Sequence, residues 1–204
     1  MHKFGNKVVN RKEIQGGRDV KRLVCVFIIV TILSGCQGDV QIDKALSLRQ
    51  NLLSGNGCRF VSEITADYGE VIYQFTMACQ ADKQGNLAFT VTEPESISGI
   101  TGTVTETGGH LTFDGTALAF ATIADGQVTP VTAPWLCLKT LRSGYIASCA
   151  DGKDTTYLQI DDSYADNALH LDIWLDQEGT PVRAEILWEG RRILSLVVRD
   201  FTIL

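Results

Sequence analysis

The chain has 204 residues, a length that suits one folded domain preceded by a short additional segment. Its net charge is −6, but seven of the 18 basic residues and only two of the 24 acidic residues lie in positions 1–35. The remaining 169 residues therefore carry a net charge near −11. A surface this acidic repels the phosphate backbone, which excludes nucleic acid as an expected partner.

Positions 1–35 have the pattern of an export signal. Lys21 and Arg22 precede an apolar run over residues 23–33, which is too short to span a bilayer as a stable helix. The run leads into Leu-Ser-Gly before Cys36, which resembles the lipobox, the cleavage and lipid-attachment motif of bacterial lipoproteins. The alternative is a buried strand or short anchor helix with an incidental cysteine.

The lipobox predicts three segments with different fates. Residues 1–35 are the signal peptide, residues 36–40 are a tether that carries diacylglycerol on Cys36, and residues 41–204 are the folded domain. Residues 1–19 are polar, mixed in charge and without an apolar face, so Val20 is a candidate for the true translation start. The predicted location is the extracytoplasmic face of the cell membrane.

The first predicted elements are a helix and a hairpin. Helical spacing of apolar residues predicts a helix over 39–55, ended by glycines. Residues 58–66 and 71–79 then alternate as two strands, and a two-residue turn at Tyr68-Gly69 would place Cys58 opposite Cys79.

The four cysteines of the folded domain are interpreted as two disulfides, because the domain is predicted to be exported. The hairpin register favours Cys58 with Cys79, which leaves Cys137 to pair with Cys149. A zinc or redox site is the weaker alternative, since no Cys-x-x-Cys spacing is present.

The rest of the chain predicts strands around one short helix. A strand over 87–91 stops at Pro94, and apolar residues at every third position of 134–142 predict a helix with one apolar face. Strict alternation over 169–175 and 182–188 predicts two further strands. The predicted class is therefore α+β, mainly β: a curved antiparallel incomplete barrel of about nine to eleven strands, covered by two or three short helices.

This order of elements resembles the superfamily of periplasmic lipoprotein carriers, the LolA/LolB-like outer-membrane lipoprotein-sorting proteins. The resemblance covers residues 40–204 and depends on dispersed cues: the pattern Phe60-x-Ser62-x-Ile64, the strand ended at Pro94, Leu-Thr-Phe-Asp-Gly at 111–115, the helix at Pro134, Gly179-Thr180-Pro181, and Asp200-Phe201 near the end.

The resemblance implies an apolar cavity on the concave face of the sheet that holds acyl chains. Strand parity and the helix pattern propose its lining, which includes Leu87 and Leu171 and twelve further residues: Phe60, Ile64, Tyr73, Phe75, Met77, Phe89, Trp135, Leu138, Leu141, Ile173, Ile186 and Trp188. The alternative interpretation of the same pattern is an ordinary filled core.

No enzyme motif is found in the sequence. There is no Gly-x-Ser-x-Gly and no His-Glu-x-x-His, and of the two histidines after Cys36 we expect His110 in a turn and His170 facing water. We therefore predict a non-catalytic protein without a cofactor or metal.

Two functions remain open at this stage. In the first, the chain is a cell-envelope lipoprotein that binds a hydrophobic ligand, either a lipid or an acylated protein, in its cavity. In the second, it is an interaction or regulatory lipoprotein on the same fold, of the stress-signalling or spore-germination type, and it binds an envelope protein rather than a lipid.

Overall fold

The structure is a computed structural model, and it describes residues 39–124, 127–165 and 168–204. The predicted signal peptide, the candidate start at Val20, the lipid-bearing Cys36 and most of the tether lie outside the described residues. Residues Gln41–Leu204 form one compact unit. None of the described helices is long and apolar enough to cross a membrane.

Two α-helices, two short 3-10 helices and thirteen strands make up the described part. The helices are α1 (Asp39–Ser54) and α2 (Ala133–Ser143), and the 3-10 helices span Glu95–Ile97 and Pro130–Thr132. The strands are β1 (Gly57–Asp67), β2 (Ile72–Asp82), β3 (Leu87–Glu93), β4 (Thr101–Thr105), β5 (Gly108–Phe113), β6 (Thr116–Phe120), β7 (Ile123–Ala124), β8 (Gln127–Val128), β9 (Tyr145–Asp151), β10 (Thr156–Asp161), β11 (His170–Leu175), β12 (Pro181–Trp188) and β13 (Arg191–Ile203).

Eleven of the strands form one open antiparallel sheet in the order β6-β5-β4-β3-β2-β1-β13-β12-β11-β10-β9. The chain runs along neighbouring strands from β1 to β6, crosses over through α2 to β9, and returns strand by strand to β13, which pairs with β1. Strands β7 and β8 form a separate pair. The predicted fold class, a mainly β curved open sheet with a few short helices, is confirmed.

The hairpin β1–β2 has a different register from the predicted one. Asp67 pairs with Ile72, so the turn is centred on Gly69-Glu70, one residue later than predicted. Gly69 has a φ of 90°, which suits the first central position of a hairpin turn, and its N–H donates to Asp67 Oδ1 at 2.8 Å. Each β2 residue is therefore displaced by two positions along β1, and every side chain keeps its predicted face.

The shifted register removes the geometric argument for the first disulfide. Cys58 lies opposite Ala81 and Cys79 opposite Phe60, so the prediction that the two cysteines face each other is wrong. All four cysteines of the domain are free thiols in the structure. Cys58, Cys79 and Cys137 are buried in the core, whereas Cys149 is only half-buried on β9.

The core lies on the concave face of the sheet and extends from β10 through β13 and β1 to β4. Most of the buried side chains of β10 to β13 and β1 are at most 1% exposed, including Leu158, Ile173 and Leu196. Helix α2 contributes Trp135, Leu138 and Leu141 from its apolar face. This arrangement follows from the alternation of the strands, because every second residue of a strand points to the same face.

Two arginines hold the helices together at their C-terminal ends. Arg49 of α1 donates from Nε to the Leu141 carbonyl at 2.7 Å and from Nη2 to the Gly144 carbonyl at 2.8 Å. Arg142 of α2 donates from Nη1 to the Leu52 carbonyl at 2.9 Å and from Nη2 to the Lys83 carbonyl at 2.8 Å. Each arginine thereby satisfies a carbonyl that a helix end leaves unpaired, and Arg142 also bonds the turn between β2 and β3; burial lowers the pKa of Arg49.

Candidate ligand-binding cleft

An apolar cleft of about 430 Å³ lies on the concave face beside the core. Its lining combines residues of the end of the β1–β2 hairpin, of strands β3 and β5, and of two short segments around Ile97 and Pro130: Tyr68, Tyr73, Phe75, Val91, Ile97, Ile100, Leu111, Val128, Thr129, Pro130 and Val131. None of these residues carries a charge. The volume is within the range of small-molecule sites.

Hydrogen bonds hold the segment 128–131 over the cleft as a rim. The Tyr68 hydroxyl donates to the Val128 carbonyl at 2.5 Å, which ties the rim to the β1–β2 turn. Thr129 Oγ1 donates to the Ala121 carbonyl at 2.7 Å, and Thr132 Oγ1 donates to the Thr129 carbonyl at 2.6 Å. Burial, followed by the neighbouring Tyr73, raises the pKa of Tyr68, so its hydroxyl stays protonated and remains a donor at neutral pH.

Aromatic rings and two glycines shape the apolar surface in and beside the cleft. Tyr68 and Tyr73 pack edge to face, with ring centroids 6.2 Å apart. A side chain at Gly102 would collide with the Phe89 ring, and one at Gly109 would collide with the Phe120 ring. The absent side chains therefore let both rings lie against the sheet beside the cleft.

The structure separates the residues that the sequence assigned to one pocket. Tyr73 and Phe75 line the cleft. Trp188 is partly buried and packs against the core. The other residues of the predicted lining lie in the core itself, none more than 5% exposed: Phe60, Ile64, Met77, Leu87, Phe89, Trp135, Leu138, Leu141, Leu171, Ile173 and Ile186.

Most of the cleft lining was not anticipated from the sequence. Ile97, Ile100 and residues 128–131 lie in short segments without a regular period, so alternation could not assign them to a face. Leu111 was recognisable, since it belongs to an alternating pair with Phe113 and points to the concave side. Chain order alone could not show that the 3-10 segment at Pro130 approaches Tyr68, which is about sixty residues away.

Two further depressions, of about 530 and 520 Å³, are lined by more polar side chains. The first contains Arg59, Gln80 and Asp200, and the second contains Glu63 and Glu93. Arg59, Gln80 and Glu63 belong to the strand positions that alternate with the buried ones, so they face away from the core. The apolar cleft is smaller, but it is the better candidate for a hydrophobic ligand because ligand sites bury mainly apolar surface.

The residues that could support catalysis or metal binding lie away from the cleft. His110 is an exposed residue of β5 rather than a turn residue as predicted, and His170 Nδ1 lies 2.6 Å from Asp161 Oδ1 on β10. Within residues 39–124, 127–165 and 168–204, no group of three or more His, Cys, Asp or Glu side chains could hold a metal ion. The chemistry available inside the cleft is apolar contact, together with the hydroxyls of Tyr68, Tyr73 and Thr129.

Comparison with known proteins gives only distant structural matches. No model of a known protein family matches the chain, and no curated protein matches it at a significant level. A LolA superfamily protein from Nitrosomonas europaea is 11% identical, with a TM-score of 0.42 over 81% of this chain and 94% of that chain.

Two other solved structures give values of the same order. A putative outer membrane lipoprotein-sorting protein domain from Vibrio parahaemolyticus is 9% identical, with a TM-score of 0.43 over 78% of this chain and 91% of that chain. The Mycobacterium tuberculosis lipoprotein LppX is 10% identical, with a TM-score of 0.39 over 79% and 92%. Structures of the superfamily suggested by the sequence are thus among those similar to this chain, at similarities too low to transfer a function.

Proposed function

We propose that this protein is a cell-envelope lipoprotein that binds the acyl chain of a lipid or an acylated protein in the apolar cleft, without catalysing a reaction. The observation that carries the proposal is the uncharged lining of the cleft on the concave face. The export signal and the lipobox at Cys36 support a location on the extracytoplasmic face of the membrane, where acyl chains are available.

The size of the cleft suits one acyl chain. A methylene group is similar in size to a water molecule, whose share of liquid volume is about 30 Å³, so 430 Å³ accommodates on the order of a dozen such groups. Burial of each methylene contributes about 0.8 kcal/mol, and because the cleft is open on one side we expect only part of this gain. The charged or polar head of the ligand would remain outside, since the lining offers it no charged partner.

Lipid binding can be tested with two arginine substitutions at neighbouring positions of β5, which lie on opposite faces of the strand. Leu111 points into the cleft, whereas Thr112 is an exposed residue that points away from it. We expect native mass spectrometry of the full chain, purified from bacterial membranes, to show co-purified lipid for the parent and for Thr112→Arg, and to show none for Leu111→Arg. A fluorescent 16-carbon fatty acid titrated into delipidated protein should bind to the parent and to Thr112→Arg, and should not bind to Leu111→Arg.

Two outcomes contradict the proposal. If the parent carries no lipid and does not bind the fatty acid, or if Leu111→Arg binds as well as Thr112→Arg, the cleft is not an acyl-chain site. A stoichiometric protein recovered with the parent in place of lipid would favour the second function derived from the sequence, an envelope interaction lipoprotein.

The lipid anchor has its own test, which does not depend on the cleft. Incorporation of labelled palmitate into the parent and its loss in Cys36→Ser are the expected results. Equal labelling of both proteins would contradict attachment at Cys36.

A further inference from the structure

One edge of the eleven-stranded sheet is unusually suited to pairing with another strand. Strand β6, with the sequence Thr-Ala-Leu-Ala-Phe, pairs with β5 on one side and with no other strand in the described part of the chain. It contains no charge and no proline, the features that usually protect an exposed edge. The opposite edge, β9, ends in Asp151, and Gln41 of α1 donates to the carboxylate of Asp151 at 2.6 Å.

The register of the β5–β6 hairpin identifies the backbone groups of β6 that point outward. The two-residue turn Asp114-Gly115 has φ values of 46° and 75°, and it places Phe113 opposite Thr116. In such a hairpin the pair flanking the turn is hydrogen-bonded, and hydrogen-bonded pairs then alternate along the ladder. Leu118 therefore bonds to β5, whereas the N–H and C=O groups of Ala117 and Ala119 point to the free edge.

We propose that β6 pairs antiparallel with β6 of a second copy of this chain, about a two-fold axis at Leu118. A symmetric interface requires a self-complementary surface, and Ala-Leu-Ala is symmetric about its centre. In this register Ala117 of each copy lies opposite Ala119 of the other copy. The outward N–H and C=O groups of these two pairs form four backbone hydrogen bonds. The two Leu118 residues form the non-hydrogen-bonded pair on the axis.

The side chains and charges near β6 support a second copy of the chain as the partner of this edge. Leu118 is 57% exposed on the concave side, and its equivalent across the axis would cover it. The alanines on the other face are small and allow close approach of the backbones. Asp114, the acid nearest to the strand, falls opposite Thr122 of the second copy rather than opposite its own equivalent, so no like charges meet.

The edge available for pairing is short, which makes the register specific. Beyond Ala119 the next outward carbonyl is that of Ala121, and it already accepts a hydrogen bond from Thr129 Oγ1. Pairing is therefore limited to the alanines on either side of Leu118. The dimer goes beyond the proposed function, because it requires neither the acyl chain nor the lipid on Cys36.

Cysteine substitution tests the register directly in the full chain. In a non-hydrogen-bonded antiparallel pair the Cα atoms are about 4.5 Å apart, a separation that a disulfide can span. We expect Leu118→Cys to form a covalent dimer after mild oxidation of the protein purified in detergent, and a reductant to reverse it. Ala117→Cys is the matched control, since its equivalent lies two positions away and should crosslink far less. The parent controls for the natural cysteines.

A proline substitution tests the same contact without crosslinking. The Ala119 N–H points outward, so Ala119→Pro removes one outward donor and leaves the β5–β6 ladder intact. We expect sedimentation of the parent in detergent to show a dimer that dissociates on dilution, with dimer formation reduced at least about tenfold in Ala119→Pro, which corresponds to about 1.4 kcal/mol. An unchanged unfolding midpoint would show that the variant is folded.

Three outcomes overturn the proposal: a parent that remains monomeric at every concentration, equal crosslinking of Leu118→Cys and Ala117→Cys, or a different polypeptide recovered on β6. None of them affects acyl-chain binding, which depends on the lining of the cleft. Loss of lipid in Leu111→Arg with an intact dimer, or the reverse, would separate the two proposals.

Discussion

Two regions of the concave face are both apolar but differ in how they are covered: the core, and an exposed region formed by the end of the β1–β2 hairpin and by strands β5 and β6. Under α1 and α2, side chains such as Leu158 and Ile173 are entirely buried. In the exposed region, Tyr73 is 51% exposed, Phe113 is 45% exposed and Leu118 is 57% exposed, although all three point to the same concave side. The comparison shows that an apolar strand face becomes a core or a binding surface according to what covers it.

Helix length explains why the cover is incomplete. Eleven strands spaced about 4.8 Å apart span roughly 48 Å, whereas α2, with 11 residues, is about 16 Å long and about 10 Å wide. Helix α1 has 16 residues and also packs on the core with Ala45, Leu48 and Leu52. Together they leave the end of the β1–β2 hairpin and the β6 edge uncovered, where Tyr73, Phe113 and Leu118 are exposed, and the rim at 128–131 lies only over the cleft.

The largest expected difference between the core and the exposed region concerns stability. Leu158→Ala should lower the free energy of unfolding by about 2–5 kcal/mol, because it removes a fully buried side chain and leaves a cavity. Leu118→Ala is the matched control in the exposed region, and we expect a loss below about 1 kcal/mol. Urea unfolding at low protein concentration measures both. Equal losses would show that the exposed region around Leu118 is packed as tightly as the core.

The second-largest effect on stability is expected from the arginine contacts of the helices. Arg142→Met removes two hydrogen bonds from a charged donor to the Leu52 and Lys83 carbonyls, and we expect a loss of about 1.5–3 kcal/mol. Arg59→Met is the control, because Arg59 is exposed on β1 and lies on the opposite side of the sheet from the helices. Thermal unfolding compares the two variants, and an equal effect would contradict a role of Arg142 in holding the cover.

A smaller effect is expected at the rim of the cleft. Tyr68→Phe removes the hydrogen bond to the Val128 carbonyl, with an expected loss of about 1 kcal/mol in stability and weaker binding of the fluorescent fatty acid. Tyr73→Phe is the control, because its ring lines the same cleft while no hydrogen bond from its hydroxyl is formed within the described residues. Equal affinity of both variants would show that the tyrosine contact does not position the rim.

Thiol labelling distinguishes the cysteines without changing the fold. Burial raises the pKa of Cys58 to about 11 and that of Cys137 to about 12, so both remain protonated at neutral pH and react slowly. Burial raises the pKa of Cys149 as well, but this thiol is only half-buried. Maleimide labelling followed by peptide mapping should modify Cys149 first, and the three buried thiols only after denaturation. If Cys149 is unreactive and becomes reactive only after reduction, the result would support the predicted disulfide between Cys137 and Cys149.

Several elements could be predicted because their signals are local. The alternation over 169–175 and 182–188 matches β11 and β12, and the helix with apolar residues at every third position matches α2. A period of two residues determines which face of a strand is apolar, so the concave face was predictable even where the register was not. The turn at Gly69 was misplaced by one residue because a glycine can occupy either central position of a hairpin turn.

The sequence by itself determined the acidic charge, the mainly β class, the helix positions and the apolar side of most strands, since each depends on composition or on residues close together in the chain. Only the tertiary structure decided which part of that apolar side is covered, where Tyr68 contacts Val128, and that Cys58 lies opposite Ala81 rather than Cys79. These outcomes depend on contacts between residues far apart in the chain, or on the choice of one turn among several that the same residues allow. Local sequence patterns determine neither these contacts nor the turn that is adopted.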